Sequence, residues 1–254
     1  MNQLDALSRR RFLIGSGAAF GGLILSGCSK TPVPPSYGNI LRVADNLTYL
    51  AHRTLLPGQS LVREYSRTSI SSFPAIGAVT PHVPGKRGYS ERYRELQKNS
   101  FADWRLSVEG AVDRPGLYTI SELKQFPSRT QITRHTCEEG WTAIAEWTGV
   151  PLHRVLIAAG MHPSARCVCF HTYDSSLVDT VDMLDALHPQ TLLAYAMNGR
   201  DLLIQHGAPL RLRVETQIGY KSRKFLHRIV VKDVFDDGGR NGFASKGWAW
   251  YTGI

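Results

Sequence analysis

Leu192-Leu193-Ala194-Tyr195-Ala196-Met197-Asn198-Gly199-Arg200-Asp201-Leu202-Leu203-Ile204-Gln205-His206-Gly207-Ala208-Pro209-Leu210-Arg211 carries the signals of fold and chemistry side by side. Leu192 to Met197 and Asp201 to Ile204 flank Asn198-Gly199, a pair that accepts the positive φ of a two-residue hairpin turn. Downstream, Leu210, Leu212 and Val214 alternate with Arg211 and Arg213, which predicts a strand with its apolar side chains inward. Upstream, Leu106 and Val108 alternate in the same way within Trp104 to Val112, and Asp113-Arg114-Pro115-Gly116 reads as a turn. Ser121 to Phe126 is a short helix stopped by Pro127, and Arg129 to Thr136 is a strand. Pro151 opens a helix with apolar positions Leu152, Val155, Leu156 and Ala159, and Gly160 closes it. Ala165 to Phe170 and Phe225 to Val234 add two more strands. Many strands with few, short helices predict an α+β domain of several small mixed sheets.

The end of the quoted stretch is where chemistry enters. His206-Gly207-Ala208-Pro209-Leu210-Arg211 is followed by Gly219-Tyr220-Lys221-Ser222-Arg223-Lys224. Two glycines permit close backbone approach, guanidinium groups grip a phosphate in bidentate fashion, and ammonium and hydroxyl groups add donors. Taken alone, the run reads either as a phosphate cradle or as a solvated basic loop. The formal net charge of +9 suggests an anionic ligand or surface. It does not choose between nucleic acid, lipid head groups and a phosphorylated cofactor.

Four cysteines narrow the search. Cys167 and Cys169 lie two apart on one strand and share a face, where a disulfide would be badly strained, so both read as core. Cys137 keeps different company, in Arg134-His135-Thr136-Cys137-Glu138-Glu139-Gly140-Trp141. Arg134 and His135 are expected to favour its thiolate, the form that binds soft or polarisable metals. A metal ligand and a catalytic thiol both fit these neighbours. The chain has no Cys-x-x-Cys-His, no His-Glu-x-x-His and no zinc-type Cys-x-x-Cys. No Gly-x-Gly-x-x-Gly follows a strand, which disfavours a dinucleotide fold.

The N-terminus is a targeting segment. Ser8-Arg9-Arg10-Arg11-Phe12-Leu13 sets paired arginines before an apolar stretch ending at Leu25, too short and glycine-rich for a transmembrane helix. This is a twin-arginine signal, the export route of folded proteins, and it predicts a periplasmic location. Leu25-Ser26-Gly27-Cys28 resembles a lipobox, making Cys28 a lipid-anchored N-terminus; ordinary cleavage nearby is the other reading. Removal of residues 1–27 leaves a net charge of about +7. Folded export points to a cofactor inserted beforehand. The expected organisation is a signal over 1–27, a tether and N-terminal wrap over 28–100, a cofactor domain over 101–235, and an aromatic tail over 236–254. Trp248, Trp250 and Tyr251 in that tail should pack on the body.

Together, Cys137 in its Arg-His-x-Cys-x-x-Gly-Trp setting, His206 to Arg211 and Gly219 to Ser222 resemble the sulfite oxidase family of molybdopterin oxidoreductases. The likeness runs from about Trp104 to Val234. It implies a sulfite-oxidase-like fold and a molybdenum atom held by one molybdopterin and by the Cys137 thiolate. Thr172, His206, Arg211, Ser222, Arg223 and Lys224 match positions that contact the pterin or its phosphate. Glu139 and Trp141 match positions lining the metal pocket in the periplasmic methionine-sulfoxide-reducing branch. Phe73 to Gly77 departs from the family by carrying Ile76 where asparagine is usual. The resemblance further implies oxygen-atom or two-electron transfer on a small-molecule substrate; the alternatives are a sulfite dehydrogenase of the same family and a non-catalytic lipid-anchored binding protein. With no haem-binding stretch, electrons are expected to pass through a membrane or soluble cytochrome. A monomer or a member of a heteromeric complex is expected, without the dimerisation domain of the animal and plant enzymes; nucleic acid is not an expected partner. Asp174 to Leu187 is expected at the pocket mouth.

Overall fold

β1 (Leu106–Gly110) buries Leu106 and Val108 completely, as alternation predicts. It runs parallel to β10 (Leu226–Lys232) and antiparallel to β2 (Gly116–Tyr118). β10 pairs antiparallel with β5 (Cys167–Thr172), and β5 with β6 (Ser175–Asp182), giving a first sheet of order β2-β1-β10-β5-β6. Glycine is needed at position 110, where φ is +94° and a Cβ would lie 2.1 Å from the Val231 carbonyl oxygen.

The second sheet has the order β3 (Arg129–Thr136), β4 (Thr142–Pro151), β7 (Leu192–Met197), β8 (Arg200–Asp201), and β9 (Arg211–Arg213) also pairs with β7. Asn198 and Gly199 at the β7–β8 turn have φ of 51° and 74°, the double positive φ of a tight hairpin. β8 is shorter than the expected strand because Ile204–His206 folds into a 3-10 turn, released by Gly207 at φ 101°. β9 departs from the alternation rule. Arg211 and Arg213 are buried along with Leu212, so a strand expected to show its arginines to water keeps them inside.

The computed structural model describes residues 40–56, 60–72, 81–236 and 248–254, with backbone alone at 40–42 and 175–177. The expected signal segment, the Cys28 anchor and the Phe73 to Gly77 segment lie outside the described residues. The chain divides into two units, Met1–Leu47 and Thr48–Ile254. The first contributes the start of α1 (Ile40–Leu55), and the second carries all the strands given above.

Four further helices are short. α2 (Glu91–Lys98) is capped by Ser90, and α3 (Ile120–Gln125) by a capping box in which Thr119 and Glu122 satisfy each other's backbone N–H. α4 (Leu152–Ala158) follows Pro151 and buries Leu152, Val155 and Leu156 in the main core with Phe170 and Ile229. A smaller cluster around Trp147, Leu192 and Ala194 underlies the second sheet.

α5 (Met183–Ala186) follows β6, and here the expectation of a pocket mouth is corrected for the acidic residues from Asp179 onward. Asp179, Asp182 and Asp185 are buried and engaged by basic partners. Lys221 Nζ binds Asp179 at 2.6 Å, while Arg53 Nη2 binds Asp182 at 2.9 Å and Asp185 at 2.7 Å. The Arg53 guanidinium also lies over the rings of Tyr49 and Tyr251. Trp250 and Tyr251 are buried, and the tail lies along the Gly219 loop through the Ile218 N–H to Thr252 carbonyl bond (2.9 Å) and the Tyr220 hydroxyl to the Ala249 carbonyl.

Candidate functional site

The β3–β4 register runs to Thr136↔Thr142, which leaves residues 137–141 as the hairpin tip. The Cys137 N–H bonds to the Trp141 carbonyl at 3.0 Å, and Gly140, at φ 89°, returns its N–H to the Cys137 carbonyl at 3.1 Å. The tip is therefore held by backbone, leaving the thiol free for other work. Cys137 is 9% exposed, and its Sγ donates to Glu138 Oε2 at 3.3 Å. Exposed Glu139 accepts from the Trp141 indole at 2.8 Å, and the Trp141 ring lies 5.5 Å from that of His135.

The expected thiolate-favouring neighbourhood is not what folds. Arg134 is exposed, and burial pushes the Cys137 thiol up to about 11, with Glu138 adding to the rise against the Glu139 backbone N–H, which lowers it. His135 is driven down to about 2, first by burial and then by Arg213 and Arg211, so it carries no charge to lend. Its Nδ1 lies 2.5 Å from Arg213 Nη1, with the arginine as donor.

Close glycine packing brings the second motif to the first. A Cβ on Gly219 would lie 2.7 Å from His135 Nε2 and 2.9 Å from the Thr136 carbonyl oxygen, so the 219–224 loop rests on the residues leading into Cys137. A Cβ on Gly207 would meet that of Lys224 at 2.8 Å. Leu212 N–H to the Arg223 carbonyl (2.8 Å) and Phe225 N–H to the Gly207 carbonyl (3.3 Å) complete the join. His206, Arg211, Ser222, Arg223 and Lys224 are thus gathered beside the hairpin tip.

Arg211 donates from Nη1 to the His206 carbonyl at 3.1 Å and from Nη2 to the Ser222 carbonyl at 2.9 Å. Its buried Nε has no partner among the described residues. The Ser222 hydroxyl accepts from Val214 N–H at 3.1 Å and still has its own proton to give. Arg223 Nη2 donates to Thr172 Oγ1 at 3.3 Å and lies 3.6 Å from Asp174 Oδ1, which places Thr172 in the same group. Lys224 donates to the Gln205 carbonyl at 2.9 Å.

The layer is short of negative charge. Arg213 takes both oxygens of Glu215, at 3.0 and 2.7 Å, leaving Arg211 without a carboxylate. Burial, then Arg213, hold Arg211 below the usual guanidinium range; it remains a cation at neutral pH. Burial and Arg211 lower Lys224 to about 8, and burial with Arg211 and Lys224 takes His206 to about 4. Spare donors, uncompensated positive charge and closely packed glycines fit a bound phosphate. Among the described residues no group of three or more His, Cys, Asp or Glu side chains converges to enclose a metal.

Arg213, Glu215 and Trp147 complete the anion layer although no motif marks them as site residues. Arg213 is hinted at by its position two residues from Arg211 on one strand, whereas Trp147 arrives only through sheet pairing. A surface cleft of about 610 Å³, lined by Gly110, His162 and residues 230–236, contains none of these groups.

Comparison with known proteins agrees with this geometry. Residues 94–238 match the family described as "Oxidoreductase molybdopterin binding domain". A provisionally named protein-methionine-sulfoxide reductase subunit, YedZ1, of Azospira oryzae is 30% identical over 98% of this chain and 89% of its own. The protein-methionine-sulfoxide reductase catalytic subunit MsrP of Xanthomonas campestris pv. campestris is 30% identical over 87% of this chain and 69% of its own. Among solved structures, the sulfane dehydrogenase SoxCD of Paracoccus pantotrophus superposes with a TM-score of 0.51 at 24% identity, over 72% of this chain and 55% of that one, a likeness of fold. With a family match over more than half its length and relatives that span most of it, the chain belongs to the sulfite oxidase family of molybdopterin-binding oxidoreductases.

Proposed function

We propose that this enzyme is the catalytic subunit of a periplasmic system that reduces sulfoxides, methionine sulfoxide foremost, with electrons delivered by a separate cytochrome or membrane subunit. The observation that carries the reading is the meeting of the Cys137 thiol with the anion layer, across the Gly219–His135 contact. Those residues fit a molybdopterin, with Arg211, Ser222, Arg223 and Lys224 around the phosphate and Cys137 as the protein ligand. Thr172 and His206 lie against the same layer. The bound group supplies a metal centre that exchanges an oxygen atom and two electrons.

The chain's own part is to hold, orient and exclude. Cys137 binds metal as thiolate, so the proton that points at Glu138 Oε2 leaves by that exposed carboxylate. His135, neutral and fixed by Arg213, walls the thiol without adding charge. Trp141, oriented by Glu139, gives the rim an aromatic face for the alkyl arms of a sulfoxide. Reduction of a sulfoxide to sulfide and water takes two electrons and two protons. The relatives' names support this direction, and their designation as subunits supports an electron-donating partner. The arginine pair at 9 and 10 and the lipobox at Cys28 support export by the twin-arginine route and a lipid anchor.

Molybdenum and pterin content, with turnover of sulfoxides and of sulfite, tests the reading. About one molybdenum and one pterin per chain, with sulfide formed from sulfoxide and a reduced dye, is the expected result. Neither group present, in a host that makes the cofactor, overturns the cofactor assignment. Sulfite oxidation without sulfoxide reduction overturns the direction.

A further inference from the structure

Trp147 lies on β4, is 3% exposed, and belongs to neither sequence motif. Its ring centroid is 4.8 Å from the guanidinium carbon of Arg211 and 4.5 Å from that of Arg213. Strand pairing brings β4 and β9 to either side of β7, where Ala194 pairs with Gly149 and with Arg211. Trp147, Ala194, Ala145 and Ala208 share one cluster, in which the indole is the large member.

Two guanidinium groups two residues apart, both buried and with the carboxylate of Glu215 taken by Arg213, repel each other. The negative face of an aromatic ring attracts cations, and more strongly where water is excluded. The indole Nε1 is buried and makes no hydrogen bond among the described residues, so the contacts on the page are those of its face and not of its N–H.

We propose that Trp147 is a positioning residue of the anion site, whose ring face keeps Arg211 and Arg213 together in the buried layer and so keeps the Arg211 Nε–H available to the pterin phosphate. This rests on the cofactor reading above and adds the residue that makes the arginine pair tenable.

The test uses the full chain, loaded in a host that makes the cofactor. Trp147→Leu, Trp147→Phe and tetrafluorotryptophan placed at position 147 alone are compared with the unaltered protein. Two quantities are read: the rate of pterin release, and the rise in thermal midpoint that inorganic phosphate gives after the cofactor is removed. Fluorination strips most of the negative potential from the ring face with little change of shape, so that variant carries the test even if Trp147→Leu does not fold. Trp147→Leu and the fluorinated ring should release pterin about tenfold faster, equivalent to about 1.4 kcal/mol, while Trp147→Phe stays within about threefold. Both weakened proteins should also lose the stabilisation by phosphate. A fluorinated protein that holds pterin as tightly as the unaltered one overturns the proposal. So does a Trp147→Phe protein as leaky as Trp147→Leu, which would make the indole N–H the working group. Absence of pterin from the unaltered protein would instead sink the cofactor reading itself.

Discussion

Lys221 and Lys224 stand three apart in one basic loop yet answer to different physics. The Lys221 ammonium is buried against Asp179 (2.6 Å) and the Thr180 carbonyl (2.7 Å). Lys221→Met strands the Asp179 carboxylate in the interior, and should lower unfolding free energy by about 3–5 kcal/mol in denaturant titration. Lys224 lies against the anion layer and is itself disfavoured there as a cation. Lys224→Met should leave stability nearly unchanged and weaken phosphate binding by about tenfold or more, read by calorimetry. At Cys137 the hairpin tip is closed by backbone bonds to Trp141 and Gly140. Cys137→Ser should therefore keep the fold while metal content and turnover fall by about a hundredfold or more, measured by elemental analysis and a sulfoxide assay.

On the scale of single elements, β10 carries a pH dependence. His227 stacks 4.3 Å from the Tyr173 ring and is lowered to about 4, by burial first and then by His171 and Arg228. The folded state binds this proton less readily than the unfolded chain, so stability falls as pH drops from about 6.5 to about 4 and the slope then vanishes. His227→Phe should flatten that part of the acid limb by up to about 3 kcal/mol, seen in denaturation curves at stepped pH. Alternation disclosed β1 because its two inward residues are apolar and its outward ones polar. It misled at β9, where Arg211 and Arg213 are inside because an aromatic ring, a carboxylate and backbone carbonyls receive them. β4 gave no clear signal, since Glu146 and Gly149 interrupt its apolar run and its two neighbours make it a strand. Cys137, His206 and Arg211 were legible because each stands in a compact motif. Trp147 and Glu215 were not, because pairing of distant strands alone brings them to the site.

The whole second unit is tied together by one cation. Arg53 joins the last turn of α1 to Asp182 and Asp185, and Asp185 in turn receives Thr216 and Gln217 just ahead of the Gly219 loop. Arg53→Met leaves two carboxylates buried and should cost about 3–5 kcal/mol, with faster amide exchange across residues 216–224 as the diagnostic sign. The first sheet has a different dependence on the complete chain. Its middle position is filled by β10, while the strands on either side, β1 and β5, are made long before it. During synthesis the sheet can therefore assemble no further than two separate strand pairs, each with a bare hydrogen-bonding edge, until residue 232 has cleared the ribosome. No part of this core can be finished ahead of the rest, and a message broken upstream of Leu226 yields two sticky half-sheets instead of a smaller working protein.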